Sequence, residues 1–158
     1  MYLLNDRKLL LCVGGGIAAY KCAELVRLLT GAGATVEVAM TGAAARFVSP
    51  LTLQTLSGNP VATDLLDASQ DATVGHIRLA DEADAVLVAP ATADLLARLA
   101  LGITNDVVTA AVLASPTRGS WWREAVREKD AWRRALQRVR RAVGSLPRPS
   151  RLRALGSQ

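Results

Sequence analysis

Aromatic side chains are scarce in this sequence, at 4% of 158 residues, and Phe47 is the single Phe. Hydrophobic residues nevertheless make up 51% of the chain, so a core has to be assembled mostly from Ala, Val and Leu. Cysteine is scarcer still. Cys12 and Cys22 each fall inside an apolar pattern, which excludes a disulfide framework, reads as two small buried hydrophobes and suits a reducing cytoplasm. No apolar run approaches the ~20 residues that a membrane-crossing helix needs. The opening MYLLNDRKLLLCVGGG has a basic pair but no spacer leading to a small-residue cleavage site, so no signal peptide is expected. One histidine, His76, and no Cys/His cluster of ligand spacing exclude a zinc centre, so no metal is expected. The lack of a G-x-S-x-G elbow speaks against a hydrolase.

The length fits one domain of ordinary size. Charge divides it unevenly. Residues 1–115 carry seven Lys and Arg against eleven Asp and Glu, a balance of −4, whereas residues 116–158 carry twelve against three, a balance of +9. All three Trp also lie beyond residue 115. The basic character of the whole belongs to its C-terminal part and says nothing about a ligand of the body.

Three apolar runs set the architecture. RKLLLCV (7–13), TVEVAM (35–40) and ADAVLVAP (83–90) read as strands buried on both faces, as in a parallel sheet. Between the first two, IAAYKCAELVRLLTGAG places Ala18, Cys22, Leu25, Val26 and Leu29 at helical spacing and ends at Gly31 and Gly33. The result is a β-α-β unit with a right-handed crossover. SPLTLQTLSG predicts a short helix begun by Ser-Pro and ended by Gly58. TADLLARLALG predicts another, capped by Thr92 and stopped by Gly102, and TNDVVTAAVLAS a third, capped by Asn105 or Asp106. The fold class is α/β, a doubly wound parallel sheet.

Each strand ends in a loop of small or hydroxyl residues. VGGGIAAYK follows the first, where glycines let backbone amides approach a phosphate or a ring. It is neither a full G-x-G-x-x-G, since Ala19 fills the third glycine's place, nor a P-loop. MTGAAARF follows the second, with Thr41 suited either to a phosphate or to capping a helix. APATAD follows the third. In an open α/β sheet ligands bind beyond the carboxyl ends of the strands, and all three loops fall on that edge. His76 precedes the third strand run; taken alone, a single histidine is an ordinary side chain.

GGGIAAYKCAELVRLLTGAGATVEVAMTGAAARFVSPLTLQTLSG, GHIRLADEADAVLVAPATADLLARLALGITND and VVTAAVLAS together resemble the flavin-dependent cysteine decarboxylases. The likeness is to the phosphopantothenoylcysteine decarboxylase half of the bifunctional bacterial enzymes of coenzyme A synthesis, and it covers about residues 7–115. PATADL, with Asp94 where relatives that modify peptides usually have Asn, is similar to that bacterial type. The resemblance implies a Rossmann-like flavoprotein subunit that binds FMN, forming homotrimers or, for a complete chain, dodecamers. It implies that Gly15, Gly16 and Ile17 line the flavin, that Thr41 and Phe47 lie near its phosphate or ring, and that Ala91, Thr92, Ala93 and Asp94 complete the cofactor loop. His76 becomes the active-site histidine, either a base or an anchor for the substrate carboxylate, and Asn105 a candidate substrate contact. The implied reaction oxidises the cysteinyl thiol carbon to a thioaldehyde, which makes the carboxylate β to C=S and lets CO2 leave. The alternative is a non-catalytic flavin-binding or regulatory subunit of the same family.

Beyond residue 115 the resemblance implies a further strand, a Pro-x-Met-Asn substrate motif and a flap bearing a Cys. Met occurs only at positions 1 and 40 and Cys only at 12 and 22, so an impaired decarboxylase lacking the last strands is expected. The reading divides the chain into a partial FMN-binding domain, 1–115, and a basic tail, 116–158. In the tail Trp121, Ala125, Trp132, Leu136, Val139 and Val143 form one stripe of an amphipathic helix over about 120–143, followed by a disordered end. Eleven Arg to one Lys there fits a shift of reading frame near codons 114–118; a genuine basic helix that binds nucleic acid or an anionic membrane is the other reading. The body itself is expected to be cytoplasmic, with phosphopantothenoylcysteine as its partner and neither membrane nor nucleic acid.

Overall fold

The structure, a computed structural model, describes residues 4–65 and 75–115, and of His76 only the backbone. The predicted tail helix and the disordered end lie outside these residues.

Among the described residues, four parallel strands make one sheet: β1 (Lys8–Val13), β2 (Thr35–Met40), β3 (Val61–Ala62) and β4 (Ala85–Val88), in the order β3-β2-β1-β4. β1 is central. It pairs with β2 from Lys8↔Thr35 to Val13↔Met40, and with β4 from Leu9↔Ala85 to Cys12↔Val88. Leu9, Leu10 and Leu11 have no solvent exposure, as a strand covered on both faces requires. Each buried Leu side chain contributes about 2 kcal/mol of apolar burial.

The two faces carry separate cores. On one, Leu9, Leu11 and Val38 pack with Leu25, Val26 and Leu29 of α1 (Cys22–Gly31) and Leu53 of α2 (Pro50–Ser57). On the other, Leu10, Cys12 and Val88 pack with α3 (Gly75–Glu82), α4 (Ala93–Ala100) and α5 (Val107–Ala114). Helices on both faces make the sheet doubly wound, as expected from the sequence.

Punctuation residues act where the sequence places them. Ser49 is the extended N-cap before Pro50, and Gly58 ends α2 at φ 75°. Gly33 (φ 94°) follows α1 and Gly102 (φ 70°) follows α4. Three details differ from expectation. Residues 17–21 form a 3-10 turn before α1, the two-residue β3 is an addition, and residues 75–82 form α3 where no helix was read. α3 has few apolar residues; its Leu79 and Ala80, buried with Ala83 just beyond it, hold it in place.

α3 delivers the chain to the amino end of the sheet, where the Asp84 N–H donates to the Lys8 carbonyl (2.8 Å). There the Asp84 carboxylate accepts from the Lys8 N–H at 2.8 Å. α3 itself is about 12 Å long, with Gly75 and the His76 backbone in its first turn, at the end away from Asp84.

Candidate functional site

The glycine turn after β1 is wedged between the two neighbouring strand ends. A Cβ on Gly14 would lie 2.3 Å from the Pro90 carbonyl oxygen, and one on Gly15 2.3 Å from the Cβ of Ala43. A Cβ on Gly16 would sit 3.2 Å from Cγ2 of Thr92. The glycines are needed for close approach, and the loops after β1, β2 and β4 meet there at the carboxyl edge.

Each neighbouring loop is held by its own hydrogen bonds. Thr41 is buried, its N–H donates to the Val13 carbonyl (3.1 Å), and its Oγ1 accepts from the Ala44 N–H (3.1 Å). Its hydroxyl thus helps to hold the turn after β2. Thr92 caps α4 as expected, accepting from the Leu95 N–H at 3.2 Å. The Cys22 thiol donates to the Ala89 carbonyl at 3.0 Å, tying the start of α1 to the loop after β4. Burial pushes this thiol up to about 12. Cys12 is also pushed to about 12, by burial first and by the charge of Asp106 second.

Ile17 is 79% exposed and Phe47 47% exposed, and each lies within four residues of the Gly15–Ala43 contact. Ala91 and Thr92 are half-buried, and Ala93 and Asp94 are exposed in the first turn of α4. A backbone-lined turn, two exposed apolar side chains and a capped helix start suit a flat, phosphorylated ligand.

A fourth loop joins the same end, and sequence reading missed what holds it. Asp106 is the N-cap of α5, accepting from the Thr109 N–H (2.8 Å) in a reciprocal capping box. Arg98 of α4 bonds to the Asp106 carboxylate. It also donates from Nε to Asp94 (3.0 Å) and from Nη1 to Asn105 Oδ1 (2.8 Å). Burial alone would raise the Asp106 carboxyl; the Thr109 amide and the Arg98 guanidinium hold it below its ordinary value. The i,i+4 spacing of Asp94 and Arg98 was visible in sequence, but not the reach of Arg98 to residues 105 and 106.

The structure thus gathers Gly15, Gly16, Ile17, Thr41, Phe47 and the 91–94 loop at one edge, and joins Asp94 to Asn105 through Arg98. His76 lies in the first turn of α3; its side chain lies outside what is described. Among the described residues no group of three His, Cys, Asp or Glu side chains could hold a metal ion, and no helix is long and apolar enough to cross a membrane.

The flavoprotein family profile matches residues 2–120. The coenzyme A biosynthesis bifunctional protein CoaBC of Vibrio cholerae is 56% identical over 115 residues, covering 73% of this chain and 29% of its own length. The chain therefore spans under a third of that relative. Among solved structures, the FMN-dependent cysteine decarboxylase TvaF from thioviridamide biosynthesis superposes with a TM-score of 0.67 at 29% identity, covering 92% of this chain and 91% of that one. A mutant PPC decarboxylase complexed with pantothenoylaminoethenethiol superposes at 0.66 with 22% identity, covering 88% and 77%, a likeness of fold alone.

Proposed function

Because this chain belongs to the flavoprotein family, we propose that its carboxyl edge holds FMN and that it is a decarboxylase unit acting on phosphopantothenoylcysteine in coenzyme A synthesis. The observation that carries this reading is the meeting of three loops at Gly14–Gly16, where a Cβ on Gly14 or Gly15 would displace a neighbouring loop. The relatives named as coenzyme A biosynthesis proteins support the pathway, the resemblance read from the sequence implies the substrate, and the FMN-dependent TvaF supports the cofactor.

Gly15, Gly16 and Ile17 would line the flavin, Thr41 and Phe47 would stand by its phosphate or ring, and Ala91 to Asp94 would close the cofactor loop. Thr41, with its hydroxyl already accepting from Ala44, would act by fixing its loop. Bound FMN supplies a reversible two-electron oxidation of the cysteinyl thiol carbon, which gives the departing CO2 an electron sink. The protein's part is to orient the substrate and handle its protons. His76 is the residue for that task, taking the thiol proton or anchoring the carboxylate. Asn105 would contact a ligand at the fourth loop.

The finer reading is that this chain forms trimers through the exposed apolar residues near the cofactor edge and completes little turnover by itself, since no Met-Asn pair occurs in its sequence. The visible spectrum of the purified full chain after incubation with FMN and gel filtration tests the central reading. Retained flavin absorbance is expected, and its loss in Gly15→Ala; a wild-type chain that emerges colourless would overturn it. Normal conversion of phosphopantothenoylcysteine to phosphopantetheine by this chain alone would refute the reading of impaired turnover while leaving the cofactor site intact.

A further inference from the structure

We infer that Arg98 is a positioning residue that sets the hydrogen-bonding polarity of the fourth loop: by holding the carbonyl oxygen of Asn105 it turns the Asn105 –NH2 outward as a donor to an anionic oxygen of the bound ligand. This rests on the FMN reading above and adds to it a residue, a partner and a ligand chemistry.

A guanidinium has donors only. Whichever Asn105 atom meets Nη1 at 2.8 Å must therefore be the acceptor, Oδ1. The amide nitrogen is left on the other side, and none of the described residues accepts from it. Asn105 is exposed, so that donor faces outward. The arrangement is held firmly, because Nε and Nη2 of Arg98 both sit on Asp94 Oδ2, at 3.0 and 2.9 Å. Nη1 also pairs with Asp106, itself committed to capping α5. The Arg98 side chain is 18% exposed and that of Asp94 75%, so the guanidinium is the enclosed centre of the cluster.

Charge argues the same way. Asp94 and Asp106 bring two carboxylates to an edge proposed to take a phosphorylated cofactor and an acidic substrate. Without Arg98 they would repel an anion, and the Asn105 amide would be free to turn its oxygen outward. With Arg98 the rim between the third and fourth loops offers a fixed donor. The chemistry it recognises is a phosphate or carboxylate oxygen, from the cofactor or from the substrate.

The test uses the full chain and two probes: FMN, followed by quenching of its fluorescence, and phosphopantothenoylcysteine, followed by calorimetry on the flavin-loaded protein. Asn105→Asp keeps an acceptor for Arg98 and removes the donor. It is expected to melt at or above the wild-type temperature while binding one probe about tenfold or more weakly, as loss of a charge-assisted hydrogen bond requires. A loss with FMN puts the acceptor oxygen on the cofactor, and a loss confined to the second probe puts it on the substrate. Arg98→Met is expected to lower both melting temperature and affinity. Arg98→Lys should recover the melting temperature but not the affinity, because an ammonium restores charge without the planar fork that fixes the amide. Unchanged FMN affinity in Asn105→Asp, with unchanged or unmeasurable binding of the second probe, overturns the inference, as does full recovery of affinity in Arg98→Lys. A wild-type chain that takes up no flavin overturns the FMN reading itself, and the inference with it.

Discussion

At Gly15 one added methyl group would meet the Cβ of Ala43 at 2.3 Å and its carbonyl carbon at 2.9 Å. Neither can retreat without moving the loop after β2. Gly15→Ala is therefore expected to cost about 1–3 kcal/mol and to lower flavin affinity, read by thermal melting and flavin fluorescence. Gly31→Ala is the control: nothing lies within 4 Å of its added Cβ, so its melting temperature should match or exceed the wild type. Equal melting temperatures for Gly15→Ala and the wild type would show that the loops do not meet as described. Cys12 and Cys22 allow a second expectation. Both are buried and both are pushed up to about 12, so the thiolate is negligible at pH 8. A chromogenic thiol reagent should leave the native chain unlabelled for hours and titrate two thiols in denaturant; rapid native labelling would contradict the packing of β1 and α1. The burial of these thiols was readable, since each sits among apolar residues. The convergence of loops was readable too, because a parallel sheet forces strand-end loops onto one edge. The Arg98 cluster was not, because its bonds to Asn105 and Asp106 depend on how α4 and α5 approach one another.

Helix starts show which elements a sequence declares. Ser49-Pro50 and Thr92 carry caps whose chemistry is local, so α2 and α4 were placed correctly. Residues 105 and 106 offered two caps of equal merit. The structure selects Asp106, because only that register closes the reciprocal pair with Thr109. β3 is two residues long and half-buried, too short for any periodicity. α3 reads as polar because its stability comes from contact with α5 rather than from its own propensity. The cap of α5 carries a pH signature. Asp106 titrates below its ordinary value of 3.8, so the stability it contributes is complete above pH 3.8 and is lost as pH falls through its lowered folded value. Asp106→Asn retains a good cap residue but cannot titrate. Urea unfolding between pH 6 and 2.5 should show a shallower acid-side loss of stability in Asp106→Asn than in the wild type. Parallel curves would mean that Asp106 is not held by Arg98 and Thr109 in solution.

Across the whole molecule, the unequal distribution of charge and of exposed apolar surface matters more than either total. The body carries −4 and residues 116–158 carry +9, so the overall pI misrepresents the part that bears the site. Of the eight large apolar side chains exposed among the described residues, four, Ile17 (79%), Tyr20 (59%), Phe47 (47%) and Leu51 (67%), come from two stretches that touch at Gly15 and Ala43. Single exposed apolar residues are ordinary, but four drawn to one junction mark an interaction surface, and a second copy of the chain is its proposed occupant. A heterologous contact whose rotation closes makes a ring, as the proposed trimer with a cofactor edge finished by a neighbouring subunit would require. Tyr20→Glu combined with Leu51→Glu leaves the core untouched, since both side chains are mostly exposed. Sedimentation velocity should show the wild type as a trimer and the double variant as a monomer with unchanged far-ultraviolet circular dichroism. Flavin affinity should fall in the monomer, because the edge would lack its neighbour. A wild type that sediments as a monomer at tens of micromolar, or a double variant that still assembles, would remove this surface from the account and leave Ile17 and Phe47 as contacts to the ligand alone.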